Sequence, residues 1–228
     1  MLTKLLRIRK VLSGKDFFAS EQIHIPKITF GNSGANFTIA SNQLNTSSVV
    51  YSFGVGTDIS FDLSLIEKYN LTVFAFDPTP KSIAWIKSQQ LPKEFILNEY
   101  GLAHYDGTAQ FTPPDNPNHV SHSIIESPSK KPNAFSVEVR TLSTIMKELG
   151  HDHIDVLKMD IEGAEYDVIE NILNAKLNIK QWLIEFHHRF ESIGVQKTKN
   201  AISLLNQNGY KIFDVSDTGE EFSFIKID

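Results

Sequence analysis

Acidic and imidazole side chains follow two apolar runs in the second half of the chain. Asp160 comes directly after residues 154–159, and Glu185 lies near the end of residues 182–186, with His187 just beyond. If both runs are parallel strands, their carboxyl ends lie at one edge of a sheet, where ligands bind. Carboxylates and imidazole can accept a proton or bind a divalent cation there. We therefore predict Asp160, Glu185 and His187 as catalytic residues, and as the ligands of a divalent metal if one is used.

The alternation of side chains along a strand distinguishes His187 from the neighbouring His188. His187 is two residues beyond Glu185 and therefore lies on the same side of an extended strand, whereas His188 lies on the other side. We predict His187 as the base or metal ligand, with the two carboxylates in support; the alternative is that residues 187–189 form an exposed polar loop. Glu162 and Glu165 fall in the first turn of a predicted helix, where the helix dipole favours acids, so helix capping is the alternative role for both.

The first half of the chain contains a turn suited to a ligand. Phe53 ends an apolar run and is followed by Gly54 and Gly56, which allow a tight turn and a close approach to the backbone. About twenty residues later, an acid at the end of the next strand can bind both ribose hydroxyls. Asp77 occupies that position and is restrained by Pro78. We predict that Phe53, Pro78 and Asp160 also bind the cofactor. The alternative is a plain glycine turn, with Asp77 capping the following helix.

The charge of this turn distinguishes two cofactors. Residues 54–58 lack the third glycine of the dinucleotide fingerprint, which lets a helix pack beside a pyrophosphate. Asp58 stands there instead, and its charge would repel a pyrophosphate. It suits a cofactor that has no phosphates and carries a positive amino-acid end. We therefore predict S-adenosylmethionine rather than NAD, with Asp58 as a candidate contact of the ammonium group.

Composition excludes several other classes of protein. The formal net charge of −5 argues against nucleic-acid binding, because such surfaces need concentrated Lys and Arg. The chain has no cysteine, which excludes disulfides, zinc–thiolate sites and thiol nucleophiles. No apolar run approaches the ~20 residues of a membrane span, and the N-terminus lacks the pattern of a signal peptide. We expect a cytoplasmic protein with a small-molecule partner and no integral membrane segment.

Short apolar runs alternate with helical periodicity from residue 49 onward. Strands are predicted at 49–53, 72–76, 95–97, 137–140, 154–159 and 182–186, and helices at 61–69, 81–90, 141–149, 162–173 and 198–208. This alternation predicts an α/β doubly wound, mostly parallel sheet. Residues 210–215 and 221–227 flank a Ser-Asp-Thr-Gly turn and predict a C-terminal antiparallel hairpin strand. Such an ending is expected of the Rossmann-like class I methyltransferase fold.

Two segments fall outside this alternation. We interpret residues 1–48 as an N-terminal extension, a helix plus a strand, that packs on a cofactor-binding domain spanning 49–228. Residues 115–133 are rich in Pro, Ser, Asn and His and form a predicted polar loop. Loops of that length are usually functional or disordered, and we expect this one to set acceptor specificity.

Three stretches of the chain together resemble FkbM-type methyltransferases. They are residues 50–62, 76–80 and 157–165, of which the third is the most specific. The resemblance implies S-adenosylmethionine as methyl donor and, most often, a hydroxyl of a sugar, polyketide or similar metabolite as acceptor. It also implies cofactor-binding roles for Gly54 and Gly56.

The same resemblance extends to further positions. It implies a cofactor-binding role for Asp77, places Leu102 beside the adenine, and matches residues 121–123 to a serine-rich stretch near the site. The chain departs from the family pattern at Ser52, where an acid is usual, and at Asp58, where the turn usually has a glycine. How the methionine end of the cofactor is held is therefore open.

Together these observations predict an O-methyltransferase that acts on a saccharide or small metabolite. An N- or carboxyl-methyltransferase is an alternative, because this fold supports those reactions equally well. A nucleotide- or NAD-binding protein without methyl transfer is the alternative from another class.

Overall fold

The computed structural model describes residues 2–112, 123–124 and 135–227. Its helices are α1 (Leu2–Leu12), α2 (Ser60–Tyr69), α3 (Pro80–Lys87), α4 (Leu142–Leu149), α5 (Glu165–Asn174) and α6 (Gly194–Gln207). Its strands are β1 (Lys27–Phe30), β2 (Phe37–Ala40), β3 (Val49–Phe53), β4 (Thr72–Phe76), β5 (Phe95–Asn98), β6 (Gly101–Leu102), β7 (Gly107–Thr112), β8 (Ser123–Ile124), β9 (Phe135–Arg140), β10 (Ile154–Met159), β11 (Ile179–Glu185), β12 (Tyr210–Val215) and β13 (Glu221–Lys226). Across the described ranges, no helix has the length and apolar character needed to cross a membrane.

The central sheet has the strand order β12-β13-β11-β10-β3-β4-β5. From β11 to β5 neighbouring strands are parallel, whereas β13 pairs antiparallel with both β11 and β12. The inner strands are nearly continuous apolar runs because a sheet covered on both faces buries every side chain. The predicted α/β fold, with its mostly parallel sheet and C-terminal hairpin, is confirmed. The antiparallel strand lies between β11 and β12 rather than at the sheet edge.

Successive residues of β3 divide the core between the two faces of this sheet. Tyr51 and Phe53 pack in a cluster that includes buried residues of α4, α5 and α6. Val50 packs in a second cluster, with residues of α2, α3 and β2. The sheet therefore has helices on both faces, and the N-terminal β1–β2 hairpin covers the same face as α2 and α3.

Two buried hydrogen bonds join that hairpin to the central sheet. The side-chain oxygen Oε1 of Gln181 in β11 accepts from the Ala40 N–H at 2.8 Å. The Ser223 hydroxyl of β13 donates to the Thr38 carbonyl at 2.7 Å. The N-terminal segment thus contributes a helix and an antiparallel hairpin, where one helix and one strand were expected. That hairpin stands beside the carboxyl end of the sheet.

A second, smaller sheet has the order β6-β9-β7-β8. The strand expected at 137–140 exists, but it belongs to this sheet and not to the central one. β7 was not predicted, because Gly107–Thr112 reads Gly-Thr-Ala-Gln-Phe-Thr and has few apolar residues. Of the predicted loop at 115–133, residues 123–124 form β8, which pairs with the end of β7; the rest lies outside the described residues.

Several predicted helix limits were wrong. α3 ends at Lys87 rather than at residue 90, and α6 begins at Gly194 rather than at residue 198. α5 begins at Glu165, because Glu162 has a φ of +54° and Gly163 a φ of +102°. Residues in the left-handed region do not continue an α-helix, so Glu162 lies in a turn and not in the first helical turn.

Candidate active site

The turn after β3 brings the ends of three strands together. Gly54 has a φ of +71°, and a Cβ there would lie 1.7 Å from the backbone oxygen of Asp160, which follows β10. The close approach of two backbones therefore requires glycine at 54, independently of any ligand. The Gly54 N–H donates to the Phe76 carbonyl of β4 at 3.0 Å, and the Asp160 N–H donates to the Phe53 carbonyl at 3.2 Å.

The second glycine of the turn has a different role. Gly56 has a φ of +57°, and a Cβ built there meets nothing within 4 Å. The space beside Gly56 is open to a ligand, and the left-handed backbone explains the preference for glycine.

Asp77 supports the same turn from the end of β4. Its Oδ2 accepts from the Gly56 N–H at 2.9 Å, while its Oδ1 accepts from the N–H and the hydroxyl of Thr79 at 2.9 and 2.6 Å. Thr79 precedes the first residue of α3, so Asp77 stabilises both the glycine turn and the start of that helix. Its side chain is buried and lines the cavity described next.

A cavity of about 240 Å³ opens over these strand ends. Every residue predicted to bind the cofactor lines it: Phe53, Gly54, Gly56, Asp58, Asp77, Pro78, Leu102 and Asp160. Glu185 lines it as well, whereas His187 lies just behind. Two of the aromatic walls, Phe53 and Phe76, are stacked with ring centroids 4.2 Å apart. The arrangement agrees with the general position of ligands in doubly wound sheets.

A buried acid and a buried cation also line the cavity. Asp62, in the first turn of α2, is 1% exposed, and its Oδ1 has no hydrogen-bond partner among the described residues. Burial raises the pKa of Asp62, and the positive charge of Lys158 partly offsets that rise. Lys158 donates to the carbonyls of Phe53 and Gly54 at 3.3 and 3.1 Å. Since an unsatisfied buried carboxylate oxygen is costly, Asp62 is well suited to meet a ligand cation.

Asp58 lines the cavity in a more open setting. Its Oδ1 accepts from the Ser60 N–H at 2.9 Å, and its Oδ2 accepts from the Asn32 side-chain amide at 3.2 Å. Burial raises the pKa of Asp58, but the hydrogen bonds from Ser60 and Asn32 outweigh it, so that the pKa is lowered. Asp58 is exposed and already engaged in organising the start of α2 and the tip of the β1–β2 hairpin.

The predicted catalytic residues meet at one edge of the cavity. Asp160, Glu185 and His187 offer ligand atoms that all lie within 4.8 Å of one another. Behind them, His187 Nδ1 hydrogen-bonds to Glu165 Oε1 at 2.9 Å, and His187 Nε2 lies 3.3 Å from Glu162 Oε2. The two parallel strands β10 and β11 therefore bring this group together, and the turn at 161–164 adds two further acids.

These charges shift one another's proton affinities. Burial raises the pKa of Asp160 to about 6 and that of Glu185 to about 9, against the opposing charges of Lys158 and His187. Burial lowers the pKa of His187, but the carboxylates of Glu165, Asp160 and Glu162 outweigh it and raise the pKa to about 10. At neutral pH the imidazole is therefore protonated, and the two neighbouring carboxyl groups titrate as a coupled pair in which Glu185 holds its proton more strongly than Asp160. Asp160 is the group best able to accept a proton.

His188 has a structural setting. It is buried, as is His187, so the alternative of an exposed loop does not hold for the two histidines, and His188 Nε2 lies 3.3 Å from Asp16 Oδ1. Arg189 donates to Asp16 Oδ2 at 2.5 Å and also pairs with Glu220. These contacts hold the segment around Asp16 against the residues that follow β11. None of the residues in this network lines the cavity.

Comparison with known proteins bears on the same elements. The family model described as "Methyltransferase FkbM domain" matches residues 34–212. The chain belongs to this family. The matched span runs from the β1–β2 hairpin into β12 and therefore contains the cavity and the acidic cluster.

Individual curated relatives share less than 30% sequence identity with this chain in the aligned regions described next. The human "Probable methyltransferase-like protein 24" is 28% identical over 195 residues, which are 82% of this chain and 47% of the human protein. The "Hexuronic acid methyltransferase AglP" of Haloferax volcanii is 27% identical over 119 residues, 50% of this chain and 47% of that protein. The chain spans about half the length of these curated relatives.

One solved structure is also similar. It is the crystal structure of the methyltransferase FkbM from Methylobacillus flagellatus KT, with a TM-score of 0.48 and 13% sequence identity. The similarity covers 80% of this chain and 44% of that one.

Two residues that line the site, Asp62 and Lys158, were not predicted as functional, although the sequence pattern indicates that both are buried charges. Asp62 lies three and four residues before Leu65 and Ile66, so it shares the buried face of α2 with them. Lys158 lies in the fully buried strand β10. Asp155 is the other charged residue of that strand, and the remaining four are apolar. A charge on a buried face is rarely tolerated without a partner or a function.

Proposed function

We propose that this chain is an S-adenosylmethionine-dependent methyltransferase that methylates a hydroxyl of a saccharide or small metabolite. One observation carries the proposal: a single cavity joins the strand-terminal acid Asp77 and the buried carboxylate of Asp62 to the proton-accepting cluster around Asp160. When bound, the cofactor supplies a methyl group on a positively charged sulfur, and transfer to an acceptor oxygen breaks the carbon–sulfur bond, forms a carbon–oxygen bond and releases one proton.

The charge of the cavity supports this cofactor over NAD. Its acidic lining residues are Asp58, Asp62, Asp77, Asp160, Glu162 and Glu185, and within the described chain Lys158 is the one Lys or Arg among the lining residues. Lys158 is already engaged with two backbone carbonyls. Such a lining attracts a cofactor with an ammonium and a sulfonium group and repels a pyrophosphate. Calorimetric titration with S-adenosylhomocysteine and with NAD tests the proposal, and binding of NAD alone would overturn it.

The methionine end of the cofactor is better matched by Asp62 than by Asp58. Asp62 Oδ1 is buried and lacks a partner among the described residues, whereas the Asp58 carboxylate already accepts from Ser60 and Asn32. Asp62 would thus supply the acid that the FkbM family usually carries at the position of Ser52. We retain a cofactor-binding role for Asp77, because it ends β4 and lines the cavity.

The proton of the acceptor hydroxyl would go to Asp160. A general base works best with a pKa near the working pH, and Asp160, with a pKa of about 6, meets that condition. In this scheme His187 is a positioning residue, because its protonated ring stabilises the surrounding carboxylates. Glu185, neutral at pH 7, would donate a hydrogen bond near the same oxygen. Methyl transfer followed by S-adenosylhomocysteine release measures this reaction.

A divalent cation is a second candidate for the same edge of the cavity. Two carboxylates and one imidazole within 4.8 Å are a donor set that such ions accept. Asp160, Glu185 and His187 would hold the ion, which would lower the pKa of a bound acceptor hydroxyl. Metal analysis of the purified protein, together with activity before and after EDTA, tests this version. Full activity without bound metal would exclude it.

The saccharide acceptor rests on more limited support. The relative named as a hexuronic acid methyltransferase acts on a sugar derivative, and it aligns with half of this chain. A screen of hydroxyl, amine and carboxylate acceptors with labelled S-adenosylmethionine separates O-methylation from N- and carboxyl-methylation.

A further inference from the structure

The first helix, α1, has the opposite of the usual burial pattern. Arg7 is buried at 9% exposure, whereas Leu6, Ile8 and Leu12 are exposed, Leu12 to 83%. A surface helix of a globular protein normally buries its apolar residues and leaves its charged residues in water. Residues 6–12 instead turn a cation towards the protein and three large apolar side chains towards the surroundings.

Polar contacts hold α1 in this orientation. The Arg7 guanidinium donates to the carbonyls of Ser216 and Phe17 at 3.1 and 3.2 Å. Its Nε lies 3.8 Å from the carboxylate of the buried Asp16. Gly219 leaves room for this side chain, because a Cβ there would lie 2.2 Å from the central carbon of the guanidinium. The helix is therefore fixed to the turn between β12 and β13 through its buried cation.

Exposed cations border the apolar residues of this segment. We call the exposed set the α1 surface; its residues are Leu6, Ile8, Arg9, Lys10, Leu12, Lys15 and Phe18. The one acid between residues 6 and 18, Asp16, is buried. Residues 1–15 contain five Lys and Arg and no Asp or Glu, whereas the whole chain has a formal net charge of −5. The α1 surface is thus apolar and positive on a protein that is acidic as a whole.

We propose that the α1 surface binds the interface of a membrane that contains anionic lipids. At such an interface an amphipathic helix inserts its apolar side chains at the acyl boundary, while its lysines and arginines meet the charged headgroups. The strength of this binding increases with the apolar area inserted and with the attraction to anionic lipid, and the α1 surface supplies both. Membrane attachment of this kind is independent of the proposed methyl transfer.

Two other occupants match the α1 surface less well. In a symmetric dimer the same surface of each copy faces the other, so Arg9, Lys10 and Lys15 would meet a second set of cations. A protein partner binds through complementary shape, with anchoring side chains in pockets. A bilayer accepts protruding apolar side chains without a matching shape, which suits a side chain as exposed as that of Leu12.

Co-sedimentation of the full chain with large unilamellar vesicles tests the proposal. One set of vesicles is phosphatidylcholine alone, and the other is phosphatidylcholine mixed with phosphatidylglycerol. The partition coefficient should be at least about tenfold higher on the anionic vesicles at low salt, and the difference should shrink as added salt screens the charges. Equal partition onto the two sets, or no binding to either, would overturn the proposal.

Removal of two cations locates the contact on the protein. The double variant Arg9→Gln, Lys15→Gln should lower partition onto the anionic vesicles at least about tenfold, because each cation near such a surface contributes about fivefold. Lys68→Gln with Lys147→Gln, at exposed sites on α2 and α4, makes the same change in net charge and should leave partition intact. An equal loss in the two double variants would show that net charge, and not the α1 surface, governs the binding.

Leu12→Gln measures the apolar contribution separately. Its side chain is exposed, so the circular dichroism spectrum and the affinity for S-adenosylhomocysteine should stay unchanged. Vesicle partition should fall by about tenfold, because an inserted leucine is lost. Ile96→Gln, at an exposed apolar residue of β5, is the matched control and should bind vesicles as the wild type does.

Sedimentation velocity without vesicles tests the alternative of a second copy. The wild type should show no concentration-dependent dimer that Leu12→Gln dissociates. Such a dimer, in a protein that does not bind vesicles, would make the α1 surface an interface between copies and would overturn the membrane proposal.

Discussion

The carboxylate of Glu165 and the imidazole of His187 join two separate parts of the active site. Glu165 Oε1 lies 2.9 Å from His187 Nδ1 and also accepts from the N–H groups of Ile161 and Gly163 at 3.0 and 3.2 Å. Both side chains are buried. One oxygen atom of α5 therefore contacts both the turn after β10 and His187, two residues beyond the end of β11. On the other side of the same imidazole, His187 Nε2 lies 3.7 Å from Asp160 Oδ1.

Removal of Glu165 should destabilise the protein strongly. Glu165→Ala leaves a buried imidazolium and two backbone N–H groups without their acceptor, which costs about 3–5 kcal/mol when a buried ion pair is broken. Urea denaturation measures the loss in the free energy of unfolding. Glu170→Ala removes an exposed acid from the same helix and should change that energy by less than ~0.5 kcal/mol. A similar small change in both variants would contradict a structural role for Glu165.

Asp160→Asn should abolish catalysis without loss of cofactor binding. The amide cannot accept the acceptor's proton, so we expect kcat to fall about hundredfold or more, a usual contribution of a general base. S-adenosylhomocysteine affinity, measured by calorimetry, should stay within a few-fold of the wild-type value. Because the pKa of Asp160 is about 6, wild-type activity should decrease as the pH falls through that value. A variant that keeps its turnover would remove Asp160 from the mechanism.

His187→Ala provides the comparison for that assignment. If His187 only positions carboxylates, the variant should keep measurable turnover. The acidic limb of its pH profile should move to higher pH, because Asp160 loses a neighbouring positive charge and its pKa rises. Complete loss of turnover with intact cofactor binding would instead restore His187 as the base predicted from the sequence.

Two acids near the glycine turn make a matched pair for cofactor binding. Asp62→Asn should weaken S-adenosylhomocysteine at least about tenfold, since a hydrogen bond to a charged group contributes about 1.5–3 kcal/mol. Asp58→Asn should have a smaller effect, because Asp58 is exposed and its carboxylate is engaged by Ser60 and Asn32. The reverse order of the two effects would return the ammonium contact to Asp58. Circular dichroism of both variants controls for misfolding.

The main strands were predictable because their composition reflects burial on both faces. Val49–Phe53, Thr72–Phe76 and Ile154–Met159 are apolar runs with β-branched or aromatic residues, and each ends at a polar or glycine residue. Since the ends of parallel strands share one edge, the proximity of Asp160 and Glu185 followed from their positions alone.

The parts that were missed depend on contacts between distant residues. The turn at Glu162 and Gly163 is held by the Glu165 carboxylate, and it overrides the acidic pattern that suggested a helix from residue 162. The protonation of His187 likewise depends on acids that only the folded chain brings together. Periodicity contains no information on such contacts.

The buried cluster should also make stability depend on pH. The pKa of Glu185 rises from 4.5 to about 9 on folding, so between these values the folded state holds a proton that the unfolded chain has lost. Stability from this group is therefore complete below the unfolded pKa and decreases as the pH rises towards the folded one. His187, with a pKa raised from 6.5 to about 10, acts in the same direction. Wild-type stability should thus fall from about pH 4.5, where the unfolded chain loses the Glu185 proton, to about pH 10, where the folded protein loses the His187 proton.

Glu185→Gln separates the contribution of Glu185 from that of His187. The amide mimics the neutral carboxyl at every pH, so the variant should gain stability relative to wild type at about pH 8.5 and show little gain at about pH 5. Thermal denaturation at both values measures the difference, with Glu170→Gln as the exposed control. An equal effect at the two pH values would mean that Glu185 is ionised in the folded protein. In that case Glu185, rather than Asp160, would be free to accept the proton of the acceptor.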